Sequence, residues 1–342
     1  MQTFYSPDQL LHVSQGELVF GKLVPAHEKP ERAETILARV EEVGLGPILP
    51  PAAFGREPLL RVHDAGMVAF IETGYDAWRA AGRTGDALAY SWHARGMRED
   101  RIPTFIDGKL SYYAFDAGTP LTENTWRTVS QAANVALSGA EAIRGGEAAA
   151  FSLCRPPGHH AQTDQYGGYC FLNNAAIAAQ HLLDHGAGRI AILDVDYHHG
   201  NGSQEIFWSR PDVLFASIHG DPNFEYPYLS GHADEIGAGA GEGYNLNLPL
   251  PEGSAWDAYS EALDAACARA ADHGPDIVIV SLGVDTFKQD PISQFHLEQE
   301  DYLRMGERIA RLGRPTLFVM EGGYAVAELG VNTVNVLQGF LG

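Results

Sequence analysis

Four short stretches of this sequence gather acids, imidazoles and a phenol that could move protons or hold a metal. They are CRPPGHH with His159 and His160, DVDYHHGNG with Asp194, Asp196, His198 and His199, GVD with Asp285, and EGGY with Tyr324. Imidazole titrates near neutral pH, and carboxylates with imidazoles suit a divalent ion. Each stretch alone has an ordinary explanation. Paired histidines occur on surfaces, an Asp after a strand often caps the next helix, and GGY is commonly a turn. DVDYHHGN is harder to dismiss, because ionisable groups this dense at a buried strand end must be paired or metal-bound. A purely structural hydrogen-bond network is the competing explanation, and it weakens once the other three stretches are counted.

Each stretch follows an apolar or β-branched run that reads as a strand: FSL at 151–153, RIAIL at 189–193, DIVIVSL at 276–282 and TLFVM at 316–320. VLFASI at 213–218 reads as another, and YNLNLPL at 244–250 is a further candidate. Amphipathic segments fill the gaps. NAAIAAQHLLDHG ends on Gly186, SAWDAYSEALDAACARAADHG runs from a Ser254 cap to Gly274, and PERAETILARVEEVG begins with Pro30 and ends at Gly44. This alternation from about residue 125 predicts an α/β fold with a mainly parallel central sheet flanked by helices. Ligands of such sheets bind outside the carboxyl ends of the strands, where all four stretches fall. Residues 75–110 differ, with aromatics, glycines and mixed charge, and read as a long inserted loop with some helix, functional or interfacial in role. With no dividing linker, a single domain over 1–342 is expected.

Of the 342 residues, 45% are hydrophobic and 20% charged, as in a globular protein with a sizeable core. Against 44 acidic residues stand 23 basic ones, a formal net charge of -21. That balance disfavours nucleic acid, which requires a basic footprint, and would attract cations. Cys154, Cys170 and Cys267 form no CxxC pair, arguing against a disulfide framework and a thiolate metal site and for a reducing compartment. The N-terminus lacks a basic-then-apolar leader and no apolar run approaches the ~20 residues of a membrane span, so a cytoplasmic protein without a membrane partner is expected.

In this order, RPPGHHA, GGYCFLNN, DVDYHHGNG, SIHGDP, GVDTFKQDP and EGGY resemble the histone deacetylase and acetylpolyamine amidohydrolase superfamily over most of the chain from residue 151. HVSQGELV and HEKPERAETI resemble the N-terminal part of the bacterial acetylpolyamine amidohydrolases. The resemblance implies an arginase-deacetylase fold and a zinc ion on Asp196, His198 and Asp285, with positions left open for water and substrate. It implies that Tyr324 donates to a developing oxyanion. It also sets Asp194 against His159 and Asn201 against His160. A carboxylate favours imidazolium more than a neutral amide does, so His160 is expected as the free base and His159 as the orienting, charge-stabilising partner. Family members with aspartate in place of Asn201 differ here.

By the same resemblance the Gly168 carbonyl borders the substrate channel, Tyr169 is an aromatic wall, and a second wall lies near Tyr226 to Leu229. A structural potassium site is implied at Asp194, Ser217 and the carbonyls of Asp196, His198 and Ile218. A second monovalent site, for K+ or Na+, is implied at the carbonyls of Phe207, Arg210, Val213 and Tyr244.

The reading is therefore a zinc-dependent amidohydrolase acting on small cationic acetylated amines. The alternatives are a deacetylase of acetyl-lysine in proteins, a binuclear manganese ureohydrolase and a non-catalytic sensor. The ureohydrolase needs a second carboxylate near Asp285, where Thr286 and Phe287 follow; the sensor predicts a lost ligand, dyad or tyrosine, and none is lost. The 75–110 segment resembles the loop by which acetylpolyamine amidohydrolases dimerise and narrow their tunnel, which implies a homodimer. It carries Asp76, Asp86, Glu99, Asp100 and Asp107 against six basic residues. Asp116, with Glu99, Asp100 and Asp107, is a candidate for the cationic end of the substrate. Ile292 stands where polyamine-selective animal relatives are expected to carry a gating glutamate, which counts against strict polyamine selectivity.

Overall fold

The computed structural model describes residues 1–19 and 21–342. Its strands are β1 (Gln2–Phe4), β2 (Glu17–Val19), β3 (Lys22–Val24), β4 (Ile48–Leu49), β5 (Ala149–Ser152), β6 (Ile190–Asp194), β7 (Val213–Gly220), β8 (Asn245–Leu250), β9 (Ile277–Leu282) and β10 (Thr316–Met320). The helices are α1 (Glu31–Glu42), α2 (Glu57–Leu60), α3 (Ala65–Ala80), α4 (Ile106–Tyr113), α5 (Thr125–Arg144), α6 (Asn174–Asp184), α7 (Asn201–Phe207), α8 (Trp256–His273), α9 (Gln299–Ala310) and α10 (Val326–Leu341). Eight strands form one sheet in the order β4-β1-β5-β10-β9-β6-β7-β8, every neighbouring pair parallel; β2 and β3 form a separate hairpin.

Because side chains alternate across a strand, the central strands feed two cores. Ala150, Ile192, Ile279, Leu317 and Val319 face α3, α5 and α6, while Phe151, Leu193, Val280 and Phe318 face α1, α8, α9 and α10. Burial on both faces explains why these strands read as continuous apolar runs. The strand at 316–320 has the expected bounds, and the others shift by one or two residues at an end. One cap differs: α8 is preceded by Ala255 without a side-chain cap, and the hydroxyl of Ser254 donates instead to the Pro251 carbonyl. Gly274 takes the left-handed conformation that ends α8.

Two regions depart further from the sequence reading. The N-terminal β1 lies inside the sheet, between β4 and β5, although three residues give too little pattern to read. The 75–110 segment begins as the end of α3, continues irregularly through 81–105 and closes as α4. Its middle exposes Tyr90, Met97, Ile102 and Phe105. No helix among the described residues is long and apolar enough to cross a membrane.

Candidate active site

The four strands β5, β10, β9 and β6 are immediate neighbours in the sheet, so their carboxyl ends open onto one place. Asp196, His198 and Asp285 meet there, all buried, each offering one ligand atom within 4.8 Å of the others. His198 Nδ1 lies 3.0 Å from Asp285 Oδ2 and 3.5 Å from Asp196 Oδ1. Backbone donors fix the carboxylates: Gly322 N donates to Asp196 Oδ2 at 2.7 Å and Tyr197 N to Asp285 Oδ1 at 2.8 Å. Burial, and then the neighbouring Asp196 carboxylate, push the Asp285 carboxyl up to about 8. Two buried carboxylates this close ionise together only beside a cation. The donor set of two carboxylates and an imidazole therefore fits a divalent ion such as zinc. Backbone approach here demands glycine, since a Cβ on Gly322 would sit 2.6 Å from both Asp196 Oδ2 and Asp285 Oδ2.

His159 and His160 stand beside this set with ring centroids 4.0 Å apart. His159 Nδ1 meets Asp194 Oδ2 at 3.0 Å, and His160 Nδ1 meets Asn201 Oδ1 at 2.7 Å. Burial opposes charge on both, but the carboxylates of Asp196 and Asp194 outweigh it at His159 and push that imidazole up to about 10. At His160 burial acts together with the charge of His159 and His198, and holds it well below the usual histidine range. The two imidazoles are thus pushed in opposite directions. Tyr324 packs its ring 5.6 Å from that of Tyr169, and burial first of all keeps its hydroxyl protonated.

Aromatic side chains surround the reactive groups. The ring of Tyr226 lies 5.0 Å from His160 and 6.2 Å from His198. Gly168 has φ +58° and a Cβ there would come within 2.3 Å of His160 Cδ2, so the turn before Tyr169 admits only glycine. Tyr228 and Leu229 are exposed.

The expected cation-binding acids sit differently. Asp116 accepts from Gly168 N at 2.6 Å, the Tyr226 hydroxyl at 2.8 Å, Gly118 N and the Thr119 hydroxyl, so it ties the two aromatic walls together instead of standing bare at a rim. Asp107 pairs with Arg83, Asp100 with Arg98, and Glu99 lies 3.4 Å from His93 Nε2. Arginines thus neutralise Asp107 and Asp100, and Glu99 faces an imidazole. Ile292 sits in a turn whose amide donates to Asp290 Oδ1. Of the residues expected around monovalent ions, Asp194 and Ser217 are register partners on β6 and β7, and the Ser217 hydroxyl meets His219 Nδ1 at 2.8 Å. The Phe207 and Tyr244 carbonyls accept from Arg210 N and Phe215 N, both at 3.0 Å, and Val213 opens β7.

Several contributors escaped the sequence reading. Glu17 accepts from the Tyr169 hydroxyl. Asp290 accepts from the amides of Tyr324 and Ala325 at 2.6 and 3.2 Å, and Glu321 Oε2 from those of Gly158 and His159 at 2.6 and 3.1 Å. Buried Glu28 joins two buried arginines, Arg32 at 3.1 Å and Arg155 at 3.0 Å. Arg32 in turn donates to the Gly323 carbonyl and lies 4.7 Å from the centre of the Tyr324 ring. Asp290 and Glu321 could have been flagged from their places within QDP and EGGY. Glu17 and Glu28 lie within HVSQGELV and HEKPERAETI, but nothing local in those stretches names their partners.

Residues 26–340 match the family model of the histone deacetylase domain. The chain belongs to the histone deacetylase family. It is 59% identical to acetylpolyamine amidohydrolase 1 of Pseudomonas aeruginosa, covering 100% of this chain and 99% of that one. It is 51% identical to the acetylpolyamine amidohydrolase of Mycoplana ramosa, each chain covered in full. The crystal structure of an acetylpolyamine aminohydrolase from Burkholderia pseudomallei superposes with a TM-score of 0.95 at 41% identity, over 99% of this chain and 98% of that one. Histone deacetylase family membership accounts for the parallel sheet and for a metal-capable set at its carboxyl edge.

Proposed function

We propose that this protein hydrolyses the acetyl amide of small cationic N-acetylated amines, acetylpolyamines among them. The observation that carries the chemistry is the meeting of Asp196, His198 and Asp285 beside a histidine pair whose Nδ1 atoms face a carboxylate and an amide oxygen. The substrate class is supported by full-length similarity to the acetylpolyamine amidohydrolases of P. aeruginosa and M. ramosa. Asp196, His198 and Asp285 would hold zinc, which supplies Lewis acidity toward an amide carbonyl and lowers the pKa of water. His160 takes the proton of the attacking water and returns it to the departing amine. His159, held by Asp194, stabilises negative charge as it forms. Tyr324, protonated and steadied by Arg32 and Asp290, donates to the carbonyl oxygen as it gains charge. Tyr169 and Tyr226 flank the acyl-amine chain, and the carboxylates of Glu17 and Asp116 on their hydroxyls, with the net charge of -21, favour a cationic one.

Residues 81–105 join two copies into a homodimer in this reading, through the exposed Tyr90, Met97, Ile102 and Phe105. K+ or Na+ would occupy the places around Asp194 and Ser217 and around the carbonyls of Phe207, Arg210, Val213 and Tyr244. Three unpaired cysteines favour a reducing compartment, the cytoplasm.

The test is turnover of acetylputrescine, acetylcadaverine, acetylspermidine and an acetyl-lysine peptide by enzyme stripped of metal and then given one zinc per chain. Activity that requires the ion and is highest on the acetylated amines is expected. Full activity in metal-free protein, or preference for the peptide, would refute the reading.

A further inference from the structure

A second set of metal-capable side chains lies next to the first. His159, Cys170 and Glu321 are buried, and an imidazole nitrogen, the thiol sulfur and a carboxylate oxygen lie within 4.8 Å of one another. His159 Nδ1 meets Asp194 Oδ2 at 3.0 Å, while Nε2 lies 3.8 Å from Asp196 Oδ1, beyond hydrogen-bond distance. Cys170 Sγ donates to the Gly168 carbonyl at 3.3 Å. Glu321 Oε2 holds the amides of Gly158 and His159, but Glu321 Oε1 is fully buried and has no hydrogen-bond partner among the described residues. Orphaned buried acceptors are rare and call for an occupant such as an ion or ordered water. Burial, partly offset by His159, pushes the Glu321 carboxyl up to about 7, as befits a group short of a cation.

We propose that His159, Cys170 and Glu321 form a second, inhibitory site for a thiophilic divalent cation, filled by zinc beyond one ion per chain or by cadmium. Sulfur, nitrogen and oxygen donors together suit these ions, whereas magnesium and calcium take oxygen ligands. The CxxC spacing absent from the sequence is not needed, because one cysteine is joined by ligands from two other strand ends. Binding releases the Cys170 thiol proton, the Nε2 proton of His159 and any proton on Glu321 to solvent, and forms bonds from the ion to Sγ, the carboxylate and His159 Nε2. No electron transfer is involved. Once Nε2 of His159 is a ligand, that nitrogen no longer faces the reacting groups as a donor, and the reaction stops.

The first metal set contains no sulfur, so a spectrum separates the two sites. Enzyme holding one zinc per chain is titrated with Cd2+ while thiolate-to-cadmium charge-transfer absorption, bound zinc and amidase activity are followed together. A band saturating at one equivalent, with zinc retained and activity lost in step, is expected. Cys170→Ser should abolish the band and raise the half-inhibiting Cd2+ concentration roughly tenfold or more, the scale of losing a supporting group at a metal site. Cys154→Ser and Cys267→Ser should leave both unchanged. Glu321→Gln keeps an acceptor for the two amides and the thiol, and should weaken cadmium binding to a similar degree; it decides the matter if Cys170→Ser does not fold. No band in wild type, a band that survives Cys170→Ser, or unaltered inhibition in both variants would overturn the proposal. A band without inhibition would refute the inhibitory role. The activity arm rests on the amidohydrolase reading and the spectral arm does not, so failure of one is distinguishable from failure of the other.

Discussion

Two chemically identical imidazoles, His159 and His160, are pushed in opposite directions by their surroundings: the Asp196 and Asp194 carboxylates raise the first, while burial and the charges of His159 and His198 lower the second. Asp194 lies outside the set that would hold zinc, so it keeps favouring His159 imidazolium when a metal offsets Asp196. His160→Ala should therefore lower kcat/KM more than His159→Ala on the same acetylated diamine, since it removes the base. A larger loss at His159 would reverse the roles. Tyr324→Phe removes a single donor whose ring is already fixed by Arg32 and Tyr169. Turnover should fall about 100-fold or more, with zinc content and melting temperature unchanged. Equal turnover in the two proteins would exclude the hydroxyl from the chemistry.

At the scale of elements, the strand ends and loops that carry His159, Gly168 and Tyr324 have their backbone tied by side-chain acids and, before Pro156, by an amide. Asp290 holds the turn of Tyr324, Glu321 that of His159, Asp116 that of Gly168, and Gln9 donates to the carbonyls of Leu153 and Arg155. Glu28 is the most exposed to loss, although it is itself buried, because it alone neutralises both Arg32 and Arg155. Removing one partner from such a group leaves buried charge uncompensated, which costs about 3–5 kcal/mol. Glu28→Ala should lower the urea midpoint accordingly and, through Arg32, loosen Tyr324, so activity should drop even in the fraction that remains folded. Stability within 1 kcal/mol of wild type, an order-of-magnitude bound for a surface change, would show that the arginines find water instead.

For the whole molecule, the segment around 81–105 exposes five large apolar side chains, Tyr90, Trp92, Met97, Ile102 and Phe105. If it pairs two subunits and narrows the approach to the site, sedimentation velocity should give a dimer, and a short Gly/Ser connector in its place should give monomers. The metal set lies on β6 and β9 ends and should survive, so activity on a small acetyl-lysine reporter should persist. Preference for acetylated diamines over bulky acetyl-lysine peptides should fall. A wild-type monomer, or an unchanged substrate ratio, would detach this segment from specificity.

The sequence by itself determined the class of fold, the strands from 151 to 320 and the four reactive stretches. These depend on local rules: apolar runs of strand length, glycines that end helices, and polar clusters directly after strands. Tertiary structure alone decided that β5, β10, β9 and β6 lie side by side although they are scattered over 170 residues of chain, because lateral order depends on how crossovers pack and not on any short pattern. It also decided that Asp116 spends its oxygens on the aromatic walls, and that Glu17 meets Tyr169 and Glu28 meets Arg155 across separations of 152 and 127 residues. A carboxylate reads the same in sequence whether it faces solvent, an arginine or a tyrosine. What it does depends on which desolvated partner the fold brings to it.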